Sequence, residues 1–218
     1  MNKSIIAVYA MSLAYAAHAH GQLVQNGSLE LGTNPGSTFV NHLVNSTGLP
    51  GWSVFQSDVD IIASPLIPAK DGQRSVDLHG SNGAGGIRQT IATADQSLYL
   101  LTFWQSAQPY ENNNTTPRTS TIRVSIDGVP QDFPFDTTGV TFADPHWVQR
   151  TLPFTASGSD TDLEFLSVEP LGTSGRWYTR GPMLDAVSIA AVPEPSASLF
   201  LVSGIGMFGM LRRRVVRL

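Results

Sequence analysis

Short runs of β-branched and aromatic residues recur through the middle of this 218-residue chain and constrain its fold more than any other feature. Clusters of Gly, Pro, Asn and Asp separate these runs, at intervals of about 10–15 residues. Ile122, Val124 and Ile126 alternate with Arg123 and Ser125, so a strand here would have one apolar face and one polar face. The middle region lacks the apolar spacing of a helix. The pattern therefore predicts an all-β domain.

Eleven candidate strands fit the pattern, and Asp127-Gly128 predicts a tight hairpin between two of them, because Gly tolerates positive φ. The candidate strands are 23–30, 52–56, 59–62, 75–78, 86–93, 97–105, 121–126, 131–135, 148–155, 162–168 and 183–190. Many short strands with frequent turns are typical of two sheets packed as a β-sandwich. The chain has no cysteine, so disulfides contribute nothing to its stability.

The first 19 residues have the pattern of a secretory signal peptide. Lys3 provides the positive start, an apolar core follows, and Ala17-His18-Ala19 matches an A-x-A cleavage site. Ala17 and Ala19 are therefore predicted processing residues, and the mature chain would begin at His20. The alternative is that this segment forms a first buried helix.

The C-terminal 27 residues have three parts in a fixed order: Pro193-Glu194-Pro195, an apolar run over about 197–211, and Arg212-Arg213-Arg214. As a helix, the run is nearly long enough to cross a bilayer, and the arginines would stay on the cytoplasmic side. This tail resembles the PEP-CTERM sorting signal of Gram-negative bacteria. The resemblance implies recognition by an exosortase that cuts near Pro-Glu-Pro. The alternative is a plain C-terminal membrane anchor.

The sequence thus predicts a signal peptide over 1–19, one β-sandwich domain over 20–191, and a sorting signal with a transmembrane helix over 192–218. We expect export from a Gram-negative bacterium, transient anchoring in the inner membrane, and a final location at the cell surface or in the extracellular matrix. Residues 20–193 contain eight basic and 16 acidic residues, a net charge of −8. A domain this acidic, without a basic stripe, is predicted not to bind nucleic acid.

Four short motifs occur in order along the middle region. They are Asn-Gly-Ser-Leu-Glu at 26–30 followed by Gly51-Trp52, the segment 71–80, the segment 85–90, and the segment 181–189. Together they resemble the choice-of-anchor C proteins, which carry the DUF642 domain, over roughly residues 22–190. The resemblance implies a galactose-binding-like jelly roll and a polysaccharide-associated role without catalysis.

The same resemblance implies a structural Ca²⁺ that joins the N-terminal segment to the end of the domain. Glu30 and Asp185 are the residues at the matching positions, and Ca²⁺ takes six to eight oxygen ligands. Ala186 stands where a second Asp is frequent in the family, which removes one possible ligand. The alternative is that Glu30 is a solvated strand end and Asp185 caps a turn.

Saccharide sites combine aromatic faces with polar groups that bind the hydroxyls. Trp52 and Trp104 lie in apolar strand patterns, which favours core packing for both. The candidate ligand residues lie instead in two polar segments: Tyr110, Asn112, Arg176, Trp177, Tyr178 and Arg180. The alternative is that these are ordinary loop residues.

The sequence predicts that the protein is not an enzyme. It has no cysteine nucleophile, no Gly-x-Ser-x-Gly elbow, no zinc-binding histidine spacing and no motif that sets two carboxylates across a cleft. Two function classes stay open. A polysaccharide-binding module predicts an exposed aromatic platform, whereas a structural or adhesive matrix protein with protein partners or self-association predicts an apolar patch or an open edge strand.

Overall fold

The computed structural model describes residues 23–109, 119–168 and 181–193. These residues form an all-β sandwich, and none of them lies in a helix. The strands are β1 (Phe39–Leu43), β2 (Ser53–Phe55), β3 (Asp58–Ala63), β4 (Arg74–Asp77), β5 (His79–Gly80), β6 (Gly83–Ala84), β7 (Gly86–Ala92), β8 (Leu98–Ala107), β9 (Thr119–Ile126), β10 (Val129–Asp136), β11 (Val148–Thr155), β12 (Asp160–Ser167) and β13 (Pro182–Ala191). The predicted sandwich is confirmed.

Two antiparallel sheets make up the sandwich. The six-stranded sheet has the order β1-β3-β4-β13-β8-β11, and the five-stranded sheet has the order β10-β9-β12-β7-β2. β5 and β6 form a separate small hairpin. Strands from distant parts of the sequence are therefore neighbours, and β13 at the end of the domain lies between β4 and β8 in the middle of its sheet.

The core between the sheets is built from the inward-facing residues of the strands, which alternate along each strand with outward-facing ones. Ile122, Val124 and Ile126 all face it, as their alternation predicts. The Phe165 ring packs edge-on against Phe103 at 5.2 Å and against Trp52 at 6.0 Å between ring centroids. Edge-on packing of this kind stabilises aromatic pairs beyond their area of burial. The predicted core position of Trp52 is confirmed.

The predicted hairpin at Asp127-Gly128 joins β9 to β10, and both residues have positive φ (50° and 77°). The predicted strand at 23–30 is wrong. Asn26 and Leu29 have φ of 49° and 62°, so the chain turns there. β1 has no counterpart among the predicted strands. It is only five residues long and has a turn on either side, so the sequence shows no clear strand pattern there.

Trp104 is the second correction. It lies on the outer face of β8 and is only partly buried, because Phe103 and Gln105 take the inward positions. No helix in the described part of the chain has the length and apolar character needed to cross a membrane. The predicted signal peptide with Ala17 and Ala19, and the tail with Glu194, Pro195, Arg212, Arg213 and Arg214, lie outside the described residues, and Pro193 is the last residue described.

Candidate functional site

The first family motif joins three distant parts of the domain. Asn26 Nδ2 donates to the Pro50 carbonyl at 2.9 Å, and Trp52 Nε1 donates to the Asn26 carbonyl at 3.1 Å. The backbone N–H of Val187 donates to the Gly27 carbonyl at 2.7 Å. The motif therefore fixes the start of the domain to the approach to β2 and to β13.

Glu30 and Asp185 both bind one loop, residues 70–74, which we call the clasp loop. Asp185 Oδ2 accepts the N–H groups of Lys70 and Asp71 at 2.8 and 3.0 Å. Glu30 Oε1 accepts those of Gln73 and Arg74, both at 2.9 Å. The two carboxylates that the sequence analysis assigned to one Ca²⁺ site thus share this loop.

Asp185 is fully buried, and burial raises its pKa to about 7. The N–H bonds from Asp71, Ala186 and Lys70 act in the opposite direction, because they favour the ionised form. The N–H of Ala186 donates to Oδ1 at 2.6 Å, so both oxygens of the carboxylate are engaged by backbone donors.

These contacts bear on the predicted calcium site. Three oxygens of the two carboxylates accept hydrogen bonds from backbone N–H groups. The partly positive hydrogens of these groups lie where a cation would have to bind. Within residues 23–109, 119–168 and 181–193, no three His, Cys, Asp or Glu side chains form a group that could hold a metal ion. As arranged, the two carboxylates fit backbone amides better than they fit Ca²⁺.

The segment leading into the clasp loop covers part of the outer face of the six-stranded sheet. Lys70 Nζ lies 3.8 Å from the centroid of the Trp104 ring, a cation–π contact. Trp147 Nε1 donates to the Pro68 carbonyl at 2.9 Å. Beneath this segment, Ile67 packs with Ile62 and Met183 in a small apolar cluster. The Trp104 ring is therefore occupied by a side chain of the protein.

The outer face of the five-stranded sheet carries a depression of about 280 Å³, which we call the polar groove. It is lined by Ser53, Arg88, Gln89, Thr90, Asp162 and Glu164. Arg88 Nη1 lies 3.6 Å from Glu164 Oε1, and Thr90 Oγ1 donates to Asp162 Oδ1 at 2.7 Å. The Arg88 guanidinium also lies over the Phe55 ring, 5.3 Å from its centroid. Hydroxyl, guanidinium, carboxylate and aromatic groups thus meet on one face.

A second depression of about 550 Å³ adjoins this face and is lined in part by Asn82, Arg123 and Leu166. Arg123 Nε and Nη2 donate to the two oxygens of Asp132 at 2.7 and 2.9 Å, a bidentate pair. Arg123 on β9 and Leu166 on β12 are cross-strand partners. Polar and charged groups therefore continue along the sheet beyond the polar groove.

Our sequence reasoning missed the polar groove, although a signal for it exists. Arg88 and Thr90 alternate with Ile87 and Ile91 in one predicted strand. Asp162 and Glu164 likewise alternate with Leu163 and Phe165 in another. Only the register of β12 against β7, which sets Glu164 opposite Arg88 and Asp162 opposite Thr90, shows that the two polar sets meet.

The predicted ligand residues Tyr110, Asn112, Arg176, Trp177, Tyr178 and Arg180 all lie outside the described residues. The residues that flank their two segments are described. The N–H of Gln108 donates to the Gly181 carbonyl at 3.0 Å, and the N–H of Val168 donates to the Thr121 carbonyl at 3.3 Å. Both segments therefore leave the sandwich at the same end.

Several solved structures are similar in architecture. One is TmCBM61 in complex with beta-1,4-galactotriose (15% identity, 78% of this chain and 99% of that chain, TM-score 0.46). Another is a family 35 carbohydrate binding module from Clostridium thermocellum (13%, 71% and 99%, TM-score 0.44). A third is the CBM22-1 xylan-binding domain from Paenibacillus barcinonensis Xyn10C (13%, 74% and 99%, TM-score 0.42). None of these similarities is close enough to assign a ligand to this chain.

No curated protein matches the chain. Residues 191–215 match the PEP-CTERM protein-sorting motif, which confirms the resemblance of the tail, implies exosortase processing and indicates export in a Gram-negative bacterium. Residues 22–190 match the family described as "Protein of unknown function (DUF642)". This match covers most of the chain, as the four motifs predicted, and the protein therefore belongs to the DUF642 family.

Proposed function

We propose that the protein is a non-catalytic polysaccharide-binding protein of the cell surface or extracellular matrix, built on a galactose-binding-like jelly roll. The sorting motif over 191–215 supports a location outside the cytoplasm. The observation that carries the proposal is the polar groove, where hydrogen-bonding side chains of β2, β7 and β12 meet on the outer face of the five-stranded sheet.

The chemistry of the polar groove suits sugar hydroxyls. Arg88 offers several N–H donors, and Asp162 and Glu164 offer carboxylate acceptors. Arg88 and Glu164 lie at ion-pair distance, 3.6 Å, while 55% of the Arg88 side chain and 30% of the Glu164 side chain stay exposed. Asp162 accepts the Thr90 hydroxyl at 2.7 Å. Hydrogen bonds between sugar hydroxyls and these charged groups are charge-assisted and therefore stronger than neutral ones. The Phe55 ring lies beneath the Arg88 guanidinium, 5.3 Å from the ring centroid, and helps to position that group at the groove.

The proposal is tested by presenting the full chain to a panel of plant and bacterial polysaccharides. Arg88→Ala should weaken binding to any positive polysaccharide by about tenfold or more, because a charged hydrogen bond contributes about 1.5–3 kcal/mol. Lys70→Ala is the control, since it also removes one positive charge but lies in the clasp loop, over the outer face of the other sheet. Equal binding by Arg88→Ala and wild type would show that the polar groove does not bind the polysaccharide.

The two segments with Tyr110, Asn112, Arg176, Trp177, Tyr178 and Arg180 stay a prediction for further ligand contacts. Their flanking residues Gln108 and Gly181 are hydrogen-bonded to each other, which supports a shared location. Trp177→Ala is the informative variant. Reduced polysaccharide binding would support a second contact region, and unchanged binding would exclude Trp177.

A structural Ca²⁺ at Glu30 and Asp185 also stays a prediction. The backbone N–H bonds to both carboxylates count against it, because a cation would have to displace those donors. Thermal melts of the full chain with EDTA, and with Ca²⁺ added back, decide the matter. A melting temperature that falls in EDTA and recovers with Ca²⁺ supports the site, and an unchanged melt contradicts it.

A structural or adhesive role through self-association is the second candidate function. The observation that favours it is the open edge of β1, where Phe39 and Leu43 are exposed to 47% and 60%. An open edge strand is the feature that separates this class from a pure binding module.

A further inference from the structure

The two sheets of the sandwich have four edge strands. β1 and β11 end the six-stranded sheet, and β10 and β2 end the five-stranded sheet. An edge strand presents unpaired backbone groups that can pair with another chain, and proteins protect such edges with proline, charge or short length. The four edges of this domain are not equally protected.

Three of the edges carry such protection. β10 contains Pro130 and Pro134, and β11 contains Pro153. Proline has no N–H, and within a sheet it is tolerated where its nitrogen faces away from the neighbouring strand, so each proline removes a donor from the outer edge. β2 is only three residues long, and its Val54 carbonyl already accepts the N–H of Asn45 at 3.3 Å.

β1 lacks all of these protections. Its five residues, Phe-Val-Asn-His-Leu, include no proline and no Asp, Glu, Lys or Arg. Burial lowers the pKa of His42, whose Nδ1 lies 2.7 Å from Ser46 Oγ, so the strand is uncharged at neutral pH. Phe39 and Leu43 are exposed, and Val44 follows directly with 42% of its surface exposed.

The register of β1 shows which of its backbone groups are free to pair. Ala63 N–H donates to the Thr38 carbonyl at 2.8 Å, which extends the β1–β3 ladder by one residue. In an antiparallel ladder, alternate residues bond to the same neighbour. Val40 and His42 therefore bond to β3, and the N–H groups of Phe39, Asn41 and Leu43 point outward. Among the described residues, none accepts a bond from these three donors. Of the outward carbonyls, that of Leu43 accepts the N–H of Ser46 at 3.0 Å, so a second chain would have to share or displace this bond.

We propose that β1 is a self-association edge, on which a second copy of this chain adds its own β1 in antiparallel register about Asn41. The sequence of the strand is self-complementary in this register. Asn41 lies opposite Asn41 of the second copy, and each Phe39 lies opposite Leu43 of the other copy. Asn41 forms the central hydrogen-bonded pair, the outward N–H groups of Phe39 and Leu43 supply the flanking donors, and the two six-stranded sheets become one continuous sheet.

A second copy fits this edge better than an unrelated charged partner. The exposed side chains at both ends of β1 are apolar, so the pairing sets an aromatic residue against an aliphatic one, which stabilises cross-strand pairs. A two-fold axis through Asn41 closes the assembly at two copies, because each copy has one such edge. The Asn41 side chain is held by Asp60 Oδ1 at 2.6 Å and does not obstruct the axis.

The first test is the mass of the full chain in mild detergent, measured by light scattering after gel filtration. The wild type should be a dimer, and Leu43→Lys should raise the dimer dissociation constant by about tenfold or more, because it sets a charge against Phe39 of the other copy. Val129→Lys is the matched control. It places the same charge at an exposed apolar residue on the proline-protected edge β10, and it should leave the dimer intact.

The second test uses the absence of cysteine from the chain. In Phe39→Cys/Leu43→Cys, the proposed register brings position 39 of one copy to about 5.5 Å from position 43 of the other between Cα atoms, which suits a disulfide. Within one copy the two positions are four strand residues apart, too far to join. The double variant should form a covalent dimer on mild oxidation, and Val129→Cys should not.

Each result decides the proposal. A wild-type chain that stays monomeric at high concentration would overturn it. A dimer that Leu43→Lys leaves intact would also overturn it, because association would then use another part of the chain. Equal melting temperatures of wild type and Leu43→Lys, measured below the concentration of dimer formation, would show that the variant keeps its fold.

Discussion

Glu30 and Asp185, from opposite ends of the domain, accept hydrogen bonds from backbone N–H groups on the two sides of Gly72. Asp185 binds the N–H groups of residues 70 and 71, and Glu30 binds those of residues 73 and 74. The clasp loop thus links the first motif of the family to its last.

Gly72 is the first test of this arrangement. Its φ is +65°, and a Cβ atom there would lie 2.4 Å from Glu30 Cδ. Gly72→Ala should therefore lower the free energy of unfolding by about 2–3 kcal/mol, from backbone strain and displacement of the Glu30 carboxylate. Gly36→Ala is the control, because φ is +68° and no atom lies within 4 Å of the added Cβ. Equal losses in urea denaturation would show that Glu30 does not depend on contact with Gly72.

Asp185 predicts a pH dependence of stability. Burial raises its folded pKa to about 7 from the ordinary value of 3.8, so the folded state holds the proton more tightly than the unfolded state. The contribution of protonated Asp185 to the free energy of unfolding is therefore complete at about pH 4 and is lost as the pH rises to about 7. In EDTA buffer, Asp185→Asn should be less stable than wild type at low pH and should lack this decline.

Asp132→Asn is the control for that measurement. The Arg123 hydrogen bond lowers the pKa of the exposed Asp132, so its contribution is lost only on acidification below about pH 4. Between pH 5 and 8 the stability of Asp132→Asn should therefore run parallel to that of wild type. A wild-type curve that is flat between pH 4 and 7 relative to Asp185→Asn would contradict the raised pKa.

Much of the fold follows from the sequence, because each strand of a sandwich buries one face and so alternates. This alternation identified β9, and Asp127-Gly128 identified the hairpin that follows it. It failed at Leu29, which is apolar and buried but has a φ of 62°, since periodicity does not report backbone conformation. It failed at Trp104 because the clasp loop, and not the other sheet, covers that residue.

The candidate site was harder to predict from the sequence than the fold. Each strand could be recognised alone, but the meeting of Arg88 with Glu164, and of Thr90 with Asp162 72 residues away, depends on the pairing of distant strands. Aromatic residues drew attention to the two polar segments, whereas the described residues that line the polar groove include no aromatic side chain. Cross-strand register, which no local pattern specifies, was the missing information.

Asn41 gives a further prediction. Its Nδ2 donates to the buried Asp58 at 2.5 Å and to the buried Asp60 at 2.6 Å, and burial raises the pKa of Asp60. Asn41→Ala should lower the free energy of unfolding by about 2 kcal/mol, because two buried carboxylates would lose a shared donor. Gln149→Ala, at an exposed position, should change it by less than about 0.5 kcal/mol. Similar urea midpoints for both variants would contradict this role of Asn41.

Hydrogen exchange of the full chain, with and without a bound polysaccharide, tests the central claim most directly. We expect the ligand to slow exchange in β7 and β12, which carry Arg88, Thr90, Asp162 and Glu164. Exchange in β3 and β4 of the other sheet should be unchanged. Protection that is confined to the six-stranded sheet, or a panel in which no polysaccharide protects β7 and β12, would contradict polysaccharide binding at the polar groove.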